Sequence, residues 1–140
     1  IVGPEPKAHV FLLEWLRRQP RNARVNGYTN HQWNGITTLH FARICQGIIK
    51  RDLDLPHLQH VVPSGIVSKL QLLQCFAHEY KRDDITITPT NAQAIIDRTL
   101  STSNEVLNQL IWKAAGYVDP PSAQQMMEEL ALFDYRMDLL

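Results

Sequence analysis

Cysteine is scarce: the 140 residues hold two, Cys45 and Cys75, each inside a helical pattern. A disulfide framework is not expected, and reduced thiols in a cytoplasmic protein are. Metal-ligand spacing is missing too. There is no Cys-x-x-Cys and no His-Glu-x-x-His, and His78-Glu79 lacks a second His at the required distance, so no metal site is expected. Neither sign of charge is in excess: Lys+Arg and Asp+Glu are 14 each, for a formal net charge of zero. That balance argues against a nucleic-acid partner, which leaves a basic footprint. No apolar run approaches the length of a membrane span, so no membrane partner is expected. The opening Ile1-Val2-Gly3-Pro4-Glu5-Pro6 has no basic segment leading into an apolar stretch and does not read as a signal peptide. It also lacks an initiator Met, which fits a processed or truncated piece. Glycine loops that cradle phosphates, of the G-x-G-x-x-G or Walker type, are absent, as is a G-x-S-x-G nucleophile elbow. The residues specify no catalytic group and no cofactor-binding group in this chain.

What is present is ordinary for one domain spanning 1–140: 44% hydrophobic and 20% charged residues. The chain is organised around residues 25–38, Val-Asn-Gly-Tyr-Thr-Asn-His-Gln-Trp-Asn-Gly-Ile-Thr-Thr. This stretch holds two Asn-Gly steps and two aromatics, with no clear helical or strand period. Asn and Gly tolerate positive φ, so two sharp turns are expected there. The stretch is either a site held between helices or a turn-rich connector with Trp33 in the core.

Around it the spacing predicts a first helix over Lys7–Arg18, stopped by Pro20. Arg17, Arg18, Arg21 and Arg24 cluster at its exit, as a solvated helix end or an anion-binding edge. A second helix, capped by Thr37 or Thr38, runs to about Lys50 with Leu39, Ala42, Ile44, Ile48 and Ile49 inward. Leu58–Val62 reads as a short strand in which His60 is a packed or edge histidine. Ser68-Lys69-Leu70-Gln71 has capping-box form and opens a third helix, with Leu70, Leu73, Phe76, Ala77 and Tyr80 as its buried stripe. Asp84–Thr88 alternates as a strand closed by Pro89. A fourth helix begins at Ser103 or Asn104 and ends at Gly116. Ser122-Ala123-Gln124-Gln125, again of capping-box form, opens a fifth carrying Met126, Met127, Leu130 and Phe133. The expected class is mixed α/β and helix-rich, about five helices with two or three short strands. So small a sheet cannot cover every helix, which leaves apolar surface for a partner or for homo-oligomer contacts.

Several stretches resemble one family in order and spacing. They are Ile1–Glu5, Asn26-Gly27-Tyr28, Trp33–Leu39, Leu58–Gln71 and Asp97-Arg98-Thr99-Leu100-Ser101. Together they look like the C-terminal, substrate-binding part of extended short-chain dehydrogenase/reductases acting on sugar nucleotides, nearest the dTDP-4-dehydrorhamnose reductase-like branch. The likeness spans nearly all 140 residues. Thr99 stands where the family has Pro after the Arg. The resemblance implies a fragment of a Rossmann-type reductase whose glycine loop, NAD(P) and catalytic Tyr-x-x-x-Lys belong to a missing N-terminal half. No Tyr here has Lys four residues on: Gln32, Asp84, Pro121 and Leu139 follow Tyr28, Tyr80, Tyr117 and Tyr135 at that spacing.

The resemblance implies that this part grips the nucleotide-sugar substrate. Arg98 would engage phosphate oxygens with its planar guanidinium. Tyr28 and Trp33 would stack on a base or cover a sugar. Asn26 and Asn34 would hydrogen-bond hydroxyls. The structural alternative for Arg98 is a salt bridge to Asp97 or another carboxylate, and for Trp33 it is core packing. A different class of function also fits: a non-catalytic interaction or regulatory domain that retains the fold without the chemistry.

Overall fold

The computed structural model describes residues 1–5, 7 and 10–135. In chain order the elements are α1 (Leu12–Arg17), β1 (Arg24–Tyr28), β2 (His31–Trp33), α2 (Thr38–Arg51), β3 (Val67–Ser68), α3 (Lys69–Glu79), β4 (Thr86–Thr90), β5 (Ile96–Arg98), α4 (Glu105–Ala114) and α5 (Ala123–Leu132). The class is mixed α/β, with five helices and short strands. None of these helices is long and apolar enough to cross a membrane.

Local chemistry starts four of the helices where the residues predict. Thr37 Oγ1 accepts the His40 N–H at the head of α2, and Asn104 Oδ1 accepts the Leu107 N–H at the head of α4. Ser68 with Gln71, and Ser122 with Gln125, close reciprocal capping boxes on α3 and α5. Gly116 takes φ +99° just after α4, the left-handed position glycine adopts without strain.

The first helix is shorter than predicted, beginning at Leu12 rather than Lys7; residues 8 and 9 of the predicted span, and Pro6 before it, lie outside the described residues. Glu5 explains the late start. Its buried carboxylate accepts the N–H groups of Val10 (3.0 Å) and Phe11 (2.6 Å), the two residues just before the first helical turn. At the exit, Arg82 donates to the carbonyls of Leu16, Arg17, Gln19 and Pro20 and pairs with Asp84. Arg17 pairs with Glu14 and lies over the Tyr80 ring, so it is committed within the fold.

The organising stretch contains two strands around a turn at Thr29 and Asn30, rather than turns at its two Asn-Gly steps. β1 pairs in parallel with β4, and β2 lies between β3 (antiparallel) and β5 (parallel). Residues 24–33 thus run beside 86–98 as one interrupted parallel ribbon. The asparagine at its break acts as a backbone substitute: the Asn30 amide donates to the Ala92 carbonyl and accepts the Ala92 N–H. Neither Gly27 nor Gly35 has positive φ. Both are there for want of a Cβ. One on Gly27 would lie 2.5 Å from Leu70 Cδ1, and one on Gly35 would lie 2.7 Å from the Trp33 indole. Pro89 sits inside β4, opposite Gly27, instead of ending it; β4 pairs only with β1, and an edge strand tolerates a residue without an N–H.

The predicted strand at Leu58–Val62 does not form. Side chains anchor that segment instead: Asn108 donates to the Val62 carbonyl and accepts its N–H, while Trp112 Nε1 donates to the same carbonyl. His60 is exposed, with Nδ1 2.9 Å from the Ser101 carbonyl.

The core lies between α3, α5, α4 and the inner face of α2. Leu73, Phe76, Ile111, Trp112, Met126 and Met127 are fully enclosed. Each such Phe or Met contributes about 1.5–3 kcal/mol relative to exposure. α2 is rotated from its predicted phase: Ala42 and Ile49 face outward, and His40 and Gly47 face inward. The predicted stripe of α3 shifts as well, to Leu72, Leu73, Phe76 and Ala77, while Leu70 and Tyr80 are half-buried. Phe133 is exposed beyond α5. Cys45 and Cys75 are free thiols, both half-buried.

Candidate functional site

The three-stranded sheet and the N-terminal segment enclose a cleft of about 1190 Å³. One wall comes from residues 1–5, the loop before α1, and α1 itself. It carries Ile1 (70% exposed), Val10 (67%), Phe11 (71%) and Trp15. The opposite wall is the sheet, presenting Trp33, Ile96 and Arg98, with Lys69 at the start of α3.

Sheet register places these groups. Trp33 on β2 is opposite Arg98 on β5 and Val67 on β3, and Gln32 is opposite Ser68, the residue before Lys69. The segment after β5 is pinned by Asn34, whose buried amide donates to the Leu100 carbonyl and accepts the Leu100 N–H, both at 2.7 Å. Trp33 is half-buried, its indole resting over Gly35 while packed against the core edge.

Of the five residues proposed to hold substrate, the fold brings Arg98 and Trp33 into the cleft. Tyr28, at the end of β1, is not among the lining residues. Its ring is 4.6 Å from that of His31 and 5.2 Å from the Lys69 ammonium. Asn26 is exposed on β1, accepts from Thr90 Oγ1, and does not line the cleft. Asn34 lies against the cleft with its amide occupied by Leu100, so it positions the wall rather than offering free donors to a ligand.

The salt bridge between Arg98 and Asp97 is not made. Hydrogen bonding to Thr99, first from its side chain and then from its N–H at 2.9 Å, holds the Asp97 carboxylate below the usual carboxylate range. Among the described residues no carboxylate lies in ion-pair range of Arg98 or Lys69. Burial, and then the nearby Arg98 cation, lower the Lys69 ammonium below the usual lysine value. Lys69 is the residue that sequence reasoning missed. Its signal was a cation one step after a Ser cap, where the helix dipole favours an anion.

The cleft therefore joins an apolar aromatic wall to a sheet side that carries Arg98 and Lys69 beside the Thr99-bonded carboxylate of Asp97, which suits a ligand with a flat or ring part and an anionic part. Cβ atoms on Gly3, Gly27, Gly35 and Gly47 would strike the protein's own atoms rather than fill a ligand space, and Gly65 and Gly116 have φ of +76° and +99°. No family model matches the sequence, and no curated protein matches it.

Proposed function

We propose that the cleft binds a nucleotide-activated keto-sugar, as the substrate-binding part of an NAD(P)-dependent reductase of the dTDP-4-dehydrorhamnose reductase-like kind. The observation that carries this reading is the placement of Arg98, without a carboxylate partner among the described residues, beside Trp33 in a cleft large enough for such a ligand. Arg98 would grip phosphate oxygens and Trp33 would cover a ring. NAD(P), its glycine loop and the catalytic Tyr and Lys would come from a Rossmann unit outside these 140 residues, and that unit would cover the exposed Ile1, Val10 and Phe11. The setting is cytoplasmic.

The test is titration of the 140-residue chain with a nucleoside diphosphate sugar, read by tryptophan fluorescence. Saturable change is expected, and Arg98→Ala should weaken binding by about 1–3 kcal/mol, the range for losing a hydrogen bond to a charged group. NADPH should give no saturable change. No response to the sugar nucleotide, or equal affinity in Arg98→Ala, overturns the reading. A second reading, a non-catalytic interaction domain, takes its support from the same exposed apolar wall. A Rossmann glycine loop and Tyr-x-x-x-Lys encoded upstream of Ile1 would decide for the enzyme.

A further inference from the structure

Lys69 occupies a place that the free protein does not favour. It is the first residue of α3, at the positive end of the helix dipole, and that first turn holds no acidic residue. It is half-buried and lines the same cleft as another cation, Arg98, whose charge adds to the effect of burial in lowering its pKa. Its one visible compensation is the face of Tyr28, 5.2 Å from Nζ. Arg98, exposed at the end of β5, likewise has no anionic partner among the described residues. Two unpaired cations on separate elements thus share one cleft wall, and a single anion between them would relieve each of these conditions. His31, on the same wall, has its Nε2 3.2 Å from the Ala94 carbonyl and its ring against Tyr28, which leaves the pair to Lys69 and Arg98.

We infer that Lys69 and Arg98 form one anion subsite, and that the group it takes is a diphosphate. A carboxylate has a single charge to divide between the two. A diphosphate offers separate charged oxygens, one set for the planar fork of Arg98 and another for the point charge of Lys69. This rests on the reading of the cleft as a ligand site and names the part of the ligand that carries the charge. Lys69 is then a binding residue, and Tyr28 the side chain that holds it in place.

The experiment titrates the 140-residue chain with inorganic pyrophosphate and, separately, with a nucleoside diphosphate sugar, using wild type, Lys69→Gln and Lys69→Arg. Pyrophosphate should bind saturably, Lys69→Gln should weaken it about tenfold, equivalent to about 1.4 kcal/mol, and Lys69→Arg should restore most of the loss. Without ligand, Lys69→Gln should melt at the wild-type temperature or above it, because a residue in electrostatic conflict is being removed. A clear drop in that melting temperature makes Lys69 structural and overturns the inference, as does pyrophosphate affinity equal in Lys69→Gln and wild type. If pyrophosphate binding depends on Lys69 and the sugar nucleotide binds no better than pyrophosphate, the subsite stands and the sugar-nucleotide reading falls. If the sugar nucleotide binds with no loss in Lys69→Gln, the subsite falls and that reading stands.

Discussion

Two polar clusters in this protein treat their cations in opposite ways. Between α2 and α5, Arg43 donates to Glu129 and to the Tyr117 hydroxyl, and that hydroxyl donates to the same carboxylate at 2.8 Å. The guanidinium also lies over the Tyr117 ring, 5.9 Å from its centroid. Every charge there has its opposite. On the sheet side of the cleft, Lys69 and Arg98 line the same wall with no carboxylate in ion-pair range among the described residues. The first arrangement joins helices; the second stores an unmet charge on a cleft wall. Cations paired within a fold are committed to it, whereas cations left unpaired on a cleft wall stay open to a ligand.

His40 gives the sharpest means of breaking that contrast. It is fully enclosed beside the paired cluster, its Nε2 3.7 Å from Glu129. Thr37 Oγ1 accepts the His40 N–H and lies 2.6 Å from its ring Nδ1. Burial is the main reason that the His40 pKa falls from 6.5 to about 4; Glu129 opposes the shift and Arg43 adds to it. The unfolded chain therefore takes up a proton near pH 6.5 and the folded chain only near pH 4. His40's contribution is complete above pH 6.5 and is lost as pH falls toward 4, about 3 kcal/mol in all. Chemical denaturation at stepped pH should show this slope, and His40→Asn should flatten it. The Asp84 carboxylate, held at about 2 mainly by the Arg82 hydrogen bond, acts below that window.

A smaller effect compares the clusters directly. Glu129→Ala should lower unfolding stability by about 2 kcal/mol, since it removes the acceptor shared by Arg43 and Tyr117 and leaves a cation beside a buried ring. It should also move the acid limb of His40 to lower pH, because Glu129 is what favours the charged ring. Lys69→Gln should cost nothing measurable in the same assay. Equal losses in the two variants would erase the distinction between the clusters.

The smallest effect lies on the apolar wall. Ile1, Val10 and Phe11 are solvent-facing, and a contiguous apolar patch of a few hundred Å² is the usual limit for a monomer. Sedimentation over a range of concentrations should show weak self-association that Phe11→Ser reduces. Identical behaviour of the two proteins would remove that wall as a contact surface.

Much of the helical layout was legible because its causes are local. The oxygens of Thr37, Ser68, Asn104 and Ser122 each reach an N–H three residues on, so start points could be read from short windows. Phase was less legible. His40 looked polar in sequence and is enclosed, while Ile49 looked apolar and is exposed, because α4 and α5 decide which side of α2 is covered. The glycines misled for a related reason. Asn26-Gly27 and Asn34-Gly35 resemble turn steps, but their glycines make room for Leu70 and Trp33, and steric room depends on what packs against the chain.

Composition and motif were enough to establish a charge-balanced chain with no glycine phosphate loop, an Arg at 98 and a Trp at 33, and helices that begin at capping residues. Each of these is written in single residues or in contacts spanning three or four positions. Pairing of residues 24–33 with 86–98, the bond between Asn34 and Leu100 across 66 positions, and the placing of Lys69 and Arg98 on one cleft were decided by the tertiary structure. The pattern of side chains along a strand says which face is buried and not which distant strand lies alongside. A counter-ion, or its lack, is likewise a property of neighbours in space.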